Sequence, residues 1–187
     1  NQDSLTVKVA NTIYGEAAFA VICDGMGGLE QGEVASAAVV RAYEQWFLRD
    51  LPQFLSRGFS EETLEQVWFR LANDCNVRVA EYSREQKAPM GTTLTAVLLL
   101  GGRYYITHVG DCRVYVMGNG MEQLTADQTY VAREVALGHM TPEQAQTDAR
   151  RNVLLQSIGT VNCVFLIFHL FQFSSPYFTS EIVYFSF

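Results

Sequence analysis

Residues 5–9 alternate apolar and polar, and residues 17–23 run almost wholly apolar. Both patterns predict strands, the first with one face buried, joined by a turn between residues 11 and 16. Pairing them about that turn sets Asp3 nearly opposite Asp24. Directly opposed residues lie about 5 Å apart at Cβ, and like charges there repel. Two such carboxylates need a cation, a donor or water between them.

The period then lengthens. Ala35, Val39, Ala42 and Trp46 recur at helical spacing and predict one apolar stripe from about residue 33 to 49. Ser60 is placed to cap a second helix, whose buried face would carry Leu64, Trp68, Leu71, Cys75, Val79 and Tyr82. The aromatic residues in both stripes read as core rather than as a ligand platform. A β-meander follows over 93–100, 103–109, 112–117 and 121–125, divided by Gly101-Gly102, Gly110-Asp111 and Gly118-Asn119-Gly120. Folding it up brings Gly91-Thr92-Thr93 and the Gly110-Asp111 turn to one sheet edge. Residues 126–159 turn polar and helical: one segment near 130–137, a capped start at Thr141-Pro142-Glu143, and a last helix around 152–158. Strands, paired helices and a meander point to the α+β class.

Composition narrows the function. A chain of 187 residues, 49% of them hydrophobic, is one domain in size with enough bulk for a core. Its net charge of −7 argues against a nucleic-acid partner. Acidity is compatible with a site that concentrates divalent cations, but a solvated acidic surface is the commoner reason for it. Cys23, Cys75, Cys112 and Cys163 show no CxxC spacing and no secretory leader precedes them, so reduced thiols in a cytoplasmic protein are expected. The apolar run 161–173 is short of the roughly 18–20 residues that span a bilayer and contains Asn162, His169 and Gln172. No membrane helix is expected there. A buried strand and a tail unrelated to the preceding domain both remain open.

Four short pieces occur in order: Asn1-Gln2-Asp3, Asp24-Gly25-Met26-Gly27-Gly28 with Gly32-Glu33, Gly91-Thr92-Thr93, and Val109-Gly110-Asp111-Cys112-Arg113. Each alone is weak, since Gly/Asp strings are ordinary turn chemistry. Together, the chain resembles the PPM-type metal-dependent Ser/Thr protein phosphatases (the protein phosphatase 2C family) in their bacterial form, from Asn1 to about Gly159. Leu124-Thr125-x-Asp127 and the stretch from Thr141 to Leu154 resemble the flap region of those members. The resemblance implies an α/β/β/α sandwich of two antiparallel sheets flanked by helix pairs, with two Mg or Mn ions at one end and a third in some members. Asp24 matches the carboxylate shared by both ions, the Gly25 carbonyl a ligand of the second, Asp3 the residue that orders the attacking water, and Asp111 a ligand of the third. Asp24 and Asp3 would be the catalytic residues. Oxygen-only donors favour Mg or Mn over zinc. The implied activity is hydrolysis of phosphoserine and phosphothreonine in proteins by a metal-activated water, in a monomer partnered with a cognate Ser/Thr kinase. His108 would lie beside the site, as a hydrogen-bonding residue or a structural one. Met26 stands where eukaryotic relatives place a His thought to act as general acid.

The resemblance also sets expectations about what is missing. The family has an Arg three residues before the position of Asn1, and a Ser-Asp-Gly motif and an Asp-Asn pair near its C-terminus. After Gly159 neither motif occurs, and Glu181 is the only carboxylate. Residues 1–159 are therefore expected to be a partial phosphatase domain, incomplete at the C-terminus, and 160–187 an aberrant apolar tail. Metal affinity and turnover should be impaired and sheet edges left open. A non-catalytic pseudophosphatase or phosphoprotein-binding fragment is the alternative.

Overall fold

The computed structural model describes residues 1–27, 31–118 and 120–160 in full, and the backbone of 167–172 and 182–186. Strands β1 (Ser4–Thr12) and β2 (Gly15–Cys23) form an antiparallel hairpin in register Thr12↔Gly15 to Ser4↔Cys23. The short β3 (Gly25–Gly27) leads into helix α1 (Gln31–Gln45), a π turn over Trp46–Asp50 and helix α2 (Leu51–Ser56). The helix predicted to stop near residue 49 thus runs on to Ser56. Pro52 sits in the first turn of α2 and has no N–H. The wider π turn before it, closed by Leu51 N–H to the Trp46 carbonyl, lets the chain continue past that proline.

Helix α3 (Glu61–Gln86) starts at Ser60, whose hydroxyl accepts the Thr63 N–H, and stops where Lys87 turns left-handed. Strands β4 (Met90–Thr92), β5 (Leu94–Leu100), β6 (Arg103–Val109), β7 (Arg113–Met117) and β8 (Met121–Gln123) make the meander. Two short helices, α4 (Tyr130–Ala136) and α5 (Pro142–Thr147), follow, the latter with a Thr141–Gln144 capping box. Finally β9 (Ile167–Gln172) pairs with β6, and β10 (Ile182–Ser186) pairs with β7. The sheets are a five-stranded one, β1-β2-β5-β6-β9, a three-stranded one, β10-β7-β8, and the pair β3-β4, all antiparallel. This is the expected α+β fold of two antiparallel sheets with helices outside.

Register decides what each face of the large sheet buries. Phe19, Leu98 and Tyr105 are paired across β2, β5 and β6 and share the face that α1 and α3 cover. Beneath the helices Trp68 packs edge-on against Trp46 and Tyr43, and Phe19 stacks on Phe47 at 5.0 Å between ring centroids. The aromatic stripes are core, as the periodicity predicts. Val97 and Ile106 belong to the opposite face and meet Val114 and Leu124 of the second sheet region. Val7 lies on that same face, since it pairs with Ala20 and Ala20 with Val97. Yet Leu5, Val7 and Val9 are 63%, 62% and 62% exposed, and β1 ends the sheet with no outer partner strand among the described residues.

Two expectations are corrected. Tyr82 is exposed rather than buried, because the stripe on α3 (Leu64, Trp68, Ala72, Cys75, Val79) ends before that helix does. Residues 152–158 are not helical. Their backbone groups bond elsewhere: Leu155 N–H to the Gln128 carbonyl, and Ile158 N–H and carbonyl to Thr92. Gly159 N–H donates to Asn76 Oδ1 of α3 at 2.7 Å, which completes the tether. A helix there would forfeit these long-range bonds. Cys23, Cys75 and Cys112 are free and buried, while Cys163 lies outside the described residues. Among the described residues no helix is long and apolar enough to cross a membrane.

Trp68 meets three aromatic residues of the core, Phe19, Tyr43 and Trp46, and is fully buried, whereas Tyr82 is exposed. Trp68→Ala should cost about 3–5 kcal/mol and lower Tm by about 2–4 °C for each kcal/mol. Tyr82→Ala should stay within about 0.5 kcal/mol. Thermal or urea unfolding of the two variants checks both values.

Candidate functional site

The hairpin register delivers two carboxylates to one place. Ser4↔Cys23 is its last pair, so Asp3 and Asp24 emerge side by side at the end of β1 and β2. The Asp24 peptide is gripped on both sides. Its N–H donates to Thr93 Oγ1 at 2.8 Å, and its carbonyl accepts from Thr93 N–H at 2.9 Å and from Thr92 Oγ1 at 2.9 Å. The first turns of α1 hold Asp3. Buried Ser36 donates to the Gln2 carbonyl at 2.7 Å and bonds the Ser4 hydroxyl at 2.9 Å, on either side of Asp3.

Glycine is required where these backbones meet. A Cβ on Gly25 would lie 2.4 Å from the Gln2 carbonyl oxygen and 2.3 Å from that of Gly32. The segment leading into β1, the start of β3 and the start of α1 are therefore in backbone contact, which no side chain would permit. The Gly110-Asp111 turn is fixed from the other direction. Gly110 has φ +113° and a Cβ there would fall 2.6 Å from Thr93 Cγ2. Gly110 also exchanges bonds with Gln128, its N–H donating to Oε1 and its carbonyl accepting the Gln128 N–H.

Charge follows from this geometry. The Asp24 carboxyl is pushed up to about 6, first by burial, then by a shared hydrogen bond with Asp3 and by the charges of Asp3 and Asp111. Asp111 is also raised, by burial and then by Asp127, while Arg113 works against the shift. Arg113 is itself engaged, its guanidinium paired with Asp127 at 2.8 and 2.5 Å. The Cys112 thiol is pushed up to about 12, chiefly by burial, with Asp111 and Asp24 adding to it, so it is no nucleophile. His108 is fully buried with Nδ1 2.9 Å from Thr95 Oγ1, a structural position.

The donor chemistry fits a hard dication. Asp3 and Asp24 supply only oxygen, and the raised Asp24 carboxyl marks a place where added positive charge would be favourable. Among the described residues no three His, Cys, Asp or Glu side chains converge closely enough to hold an ion by themselves. Asp111 acts on Asp24 through charge, not contact, so backbone carbonyls and water would have to complete any coordination. Asp111 also borders a cleft of about 680 Å³, with Arg113 and Asp127 beside it and Val131, Ala145 and Arg151 opposite.

Of the residues singled out in the sequence, the structure brings Asp3 and Asp24 together, packs Gly25 against them and keeps Asp111 nearby. Sequence reasoning placed Thr93 at this edge within the Gly91-Thr92-Thr93 motif but not its bond to Asp24, and it missed two supports, Ser36 and Gln128. Ser36 carried a faint signal, a hydroxyl beside the apolar stripe of α1. Gln128 carried none.

A family model for protein phosphatase 2C matches residues 1–163. Serine/threonine protein phosphatase PstP of Mycobacterium tuberculosis is 33% identical over 149 residues, which cover 79% of this chain and 28% of PstP. Serine/threonine phosphatase stp of Listeria innocua is 31% identical over 142 residues, covering 74% of this chain and 54% of that one. The chain thus spans about a quarter to a half of the length of these relatives. Among solved structures, the S. agalactiae serine/threonine phosphatase superposes with TM-score 0.79 at 26% identity, over 98% of this chain and 71% of that one. Stp1 from Staphylococcus aureus gives 0.79 at 28%, over 93% and 66%. The PstP catalytic domain, solved in complex with two manganese ions, shares the fold with TM-score 0.68 at 24% identity, over 92% of this chain and 74% of that one.

The raised Asp24 carboxyl has a signed consequence. Its folded value of about 6 exceeds the unfolded value near 3.9, so the folded chain binds more protons between them. In EDTA, the contribution of Asp24 to stability should be fully present below about pH 4 and be lost as pH rises through about 6, whereas Asp148, held low by Arg150, contributes with the opposite sign at acid pH. Asp24→Asn should flatten that window and melt higher than the parent at pH 7. Thermal melts in EDTA from pH 4 to 8 measure both.

Proposed function

The chain belongs to the protein phosphatase 2C family, and we propose that its site serves metal-dependent hydrolysis of phosphoserine and phosphothreonine in proteins. The observation that carries this reading is the Asp3–Asp24 pair, set side by side by the hairpin register, with the Asp24 carboxyl raised by burial and by its acidic neighbours. Asp24 would be the ligand shared by two Mg or Mn ions, the Gly25 carbonyl a ligand of the second, and Asp111 a ligand of a third. The two manganese ions of the PstP catalytic domain support that number. Such a pair supplies charge neutralisation at the phosphate and acidifies the attacking water.

The protein's own residues do the rest. Asp3 accepts a hydrogen bond from the water and orients it in line with the scissile P–O bond. Water would lose one proton to solvent as its oxygen bonds to phosphorus, while the P–O bond to Ser or Thr breaks and the departing oxygen takes up a proton. Met26 cannot deliver that proton, so solvent must. The cleft beside Asp111 is of a size to seat the peptide flanking the phosphoresidue. Residues 1–159 act as the phosphatase piece, and a Ser/Thr kinase that writes the phosphate is the fitting partner.

Only two carboxylates meet here among the described residues, and the sequence beyond Gly159 holds no Asp. That favours weak ion binding and slow turnover by this chain, and gives weight to a second reading: a module that binds phosphoproteins without hydrolysing them.

With 187-residue protein and a phosphothreonine peptide, Mn should elicit slow phosphate release that EDTA abolishes. Asp24→Asn should reduce it at least about 100-fold, because charge stabilisation by the ions is worth several kcal/mol. Peptide binding by calorimetry with no Mn-dependent release would select the non-catalytic reading. Release unaffected by EDTA and by Asp24→Asn would sink the metal reading.

A further inference from the structure

Thr93 is the point at which both carboxylate-bearing turns meet. It is fully buried at the junction of β4 and β5, 69 residues beyond Asp24 in sequence. Its hydroxyl accepts the Asp24 N–H at 2.8 Å and bonds Cys112 Sγ at 3.2 Å, the residue after Asp111. Its own N–H donates to the Asp24 carbonyl at 2.9 Å. Its methyl Cγ2 fills the space that a Cβ on Gly110 would need.

The two functions of this side chain are separate. The hydroxyl fixes the plane of the Asp24 peptide, and with it the direction in which the carboxylate leaves the strand. A Thr hydroxyl has one proton and two acceptor sites, so it can take the Asp24 N–H while still bonding the thiol. The methyl instead packs against the Gly110-Asp111 turn. Three hydrogen bonds converge on the backbone of Asp24, two of them from side-chain hydroxyls and not from a β-ladder.

We propose that Thr93 is a positioning residue for ion binding: through its hydroxyl, bonded to the Asp24 N–H, it aims Asp24, while its methyl only packs against the Gly110 turn. This rests on the metal-dependent reading of Asp24. Outer residues that orient a ligand typically matter by 10–100-fold in metal affinity.

Mn titration of the 187-residue protein, followed by calorimetry or by the EPR signal of free Mn, tests it with Thr93→Val, Thr93→Ser and Asp24→Asn. Thr93→Val keeps the methyl and removes the hydroxyl, and should weaken Mn binding at least about tenfold. Thr93→Ser keeps the hydroxyl and should stay within about twofold of the parent. A purely structural Thr would lower Tm in EDTA in both variants and leave affinity alone. Folded Thr93→Val with the parent's affinity, beside a weakened Asp24→Asn, overturns the role of Thr93 and spares the metal site. Equal Mn affinity in parent and Asp24→Asn overturns both. If Thr93→Val does not fold, amide exchange decides: Asp24 N–H should be protected in the parent and in Thr93→Ser, and exchange there at an open-loop rate overturns the proposal.

Discussion

The pairing of β1 with β2 forces Asp3 and Asp24 together against their mutual repulsion. Every other feature of this end of the molecule is arranged so that the pair does not spring apart. The hairpin alone could not hold it, because terminal residues of a strand pair fray and like charges hasten that. Ser36 therefore anchors the backbone on both sides of Asp3, and Thr92 with Thr93 clasps the peptide of Asp24. The glycines at 25 and 32 allow three stretches of backbone to close to a distance that excludes even a methyl group. The result is a rigid cradle whose unmet need is positive charge.

The large sheet serves as the stage for this cradle, and it has two unlike faces. One is sealed by α1 and α3 through interlocked tryptophan, tyrosine and phenylalanine side chains. The other is covered by the second sheet over β5 and β6, while the part carried by β1 lies open at Leu5, Val7 and Val9. Membership of the protein phosphatase 2C family agrees with the sandwich.

Much of this was legible in the sequence because it rests on local periodicity. The alternation over 5–9 and the turn near 11–16 place Asp3 opposite Asp24, and the register bears that out. The helical stripes through Trp46 and Trp68 likewise end up in the core. What escaped were features decided by distant contacts. Residues 152–158 have an unremarkable helical composition, yet their amides go to Gln128 and Thr92, and no local pattern announces that. The π turn at Trp46–Asp50 reflects Pro52 in the next helix, and the extra turns of α2 follow from it. Thr93 could be recognised as part of a Gly-Thr-Thr motif, but its bond to the Asp24 amide becomes visible only when the two strands are laid together.

That bond has a temporal side. Asp24 and the threonine that clasps it are separated by 69 residues, and Gly159 must travel back across 83 more positions to reach Asn76. Loop closures of such length come late, after local helices and the first hairpin have formed. A chain emerging from the ribosome would therefore present its acidic pair untethered until the meander had been synthesised. Under the metal-dependent reading, divalent cations would reward only the finished arrangement, and so would seal completed folding and not seed it.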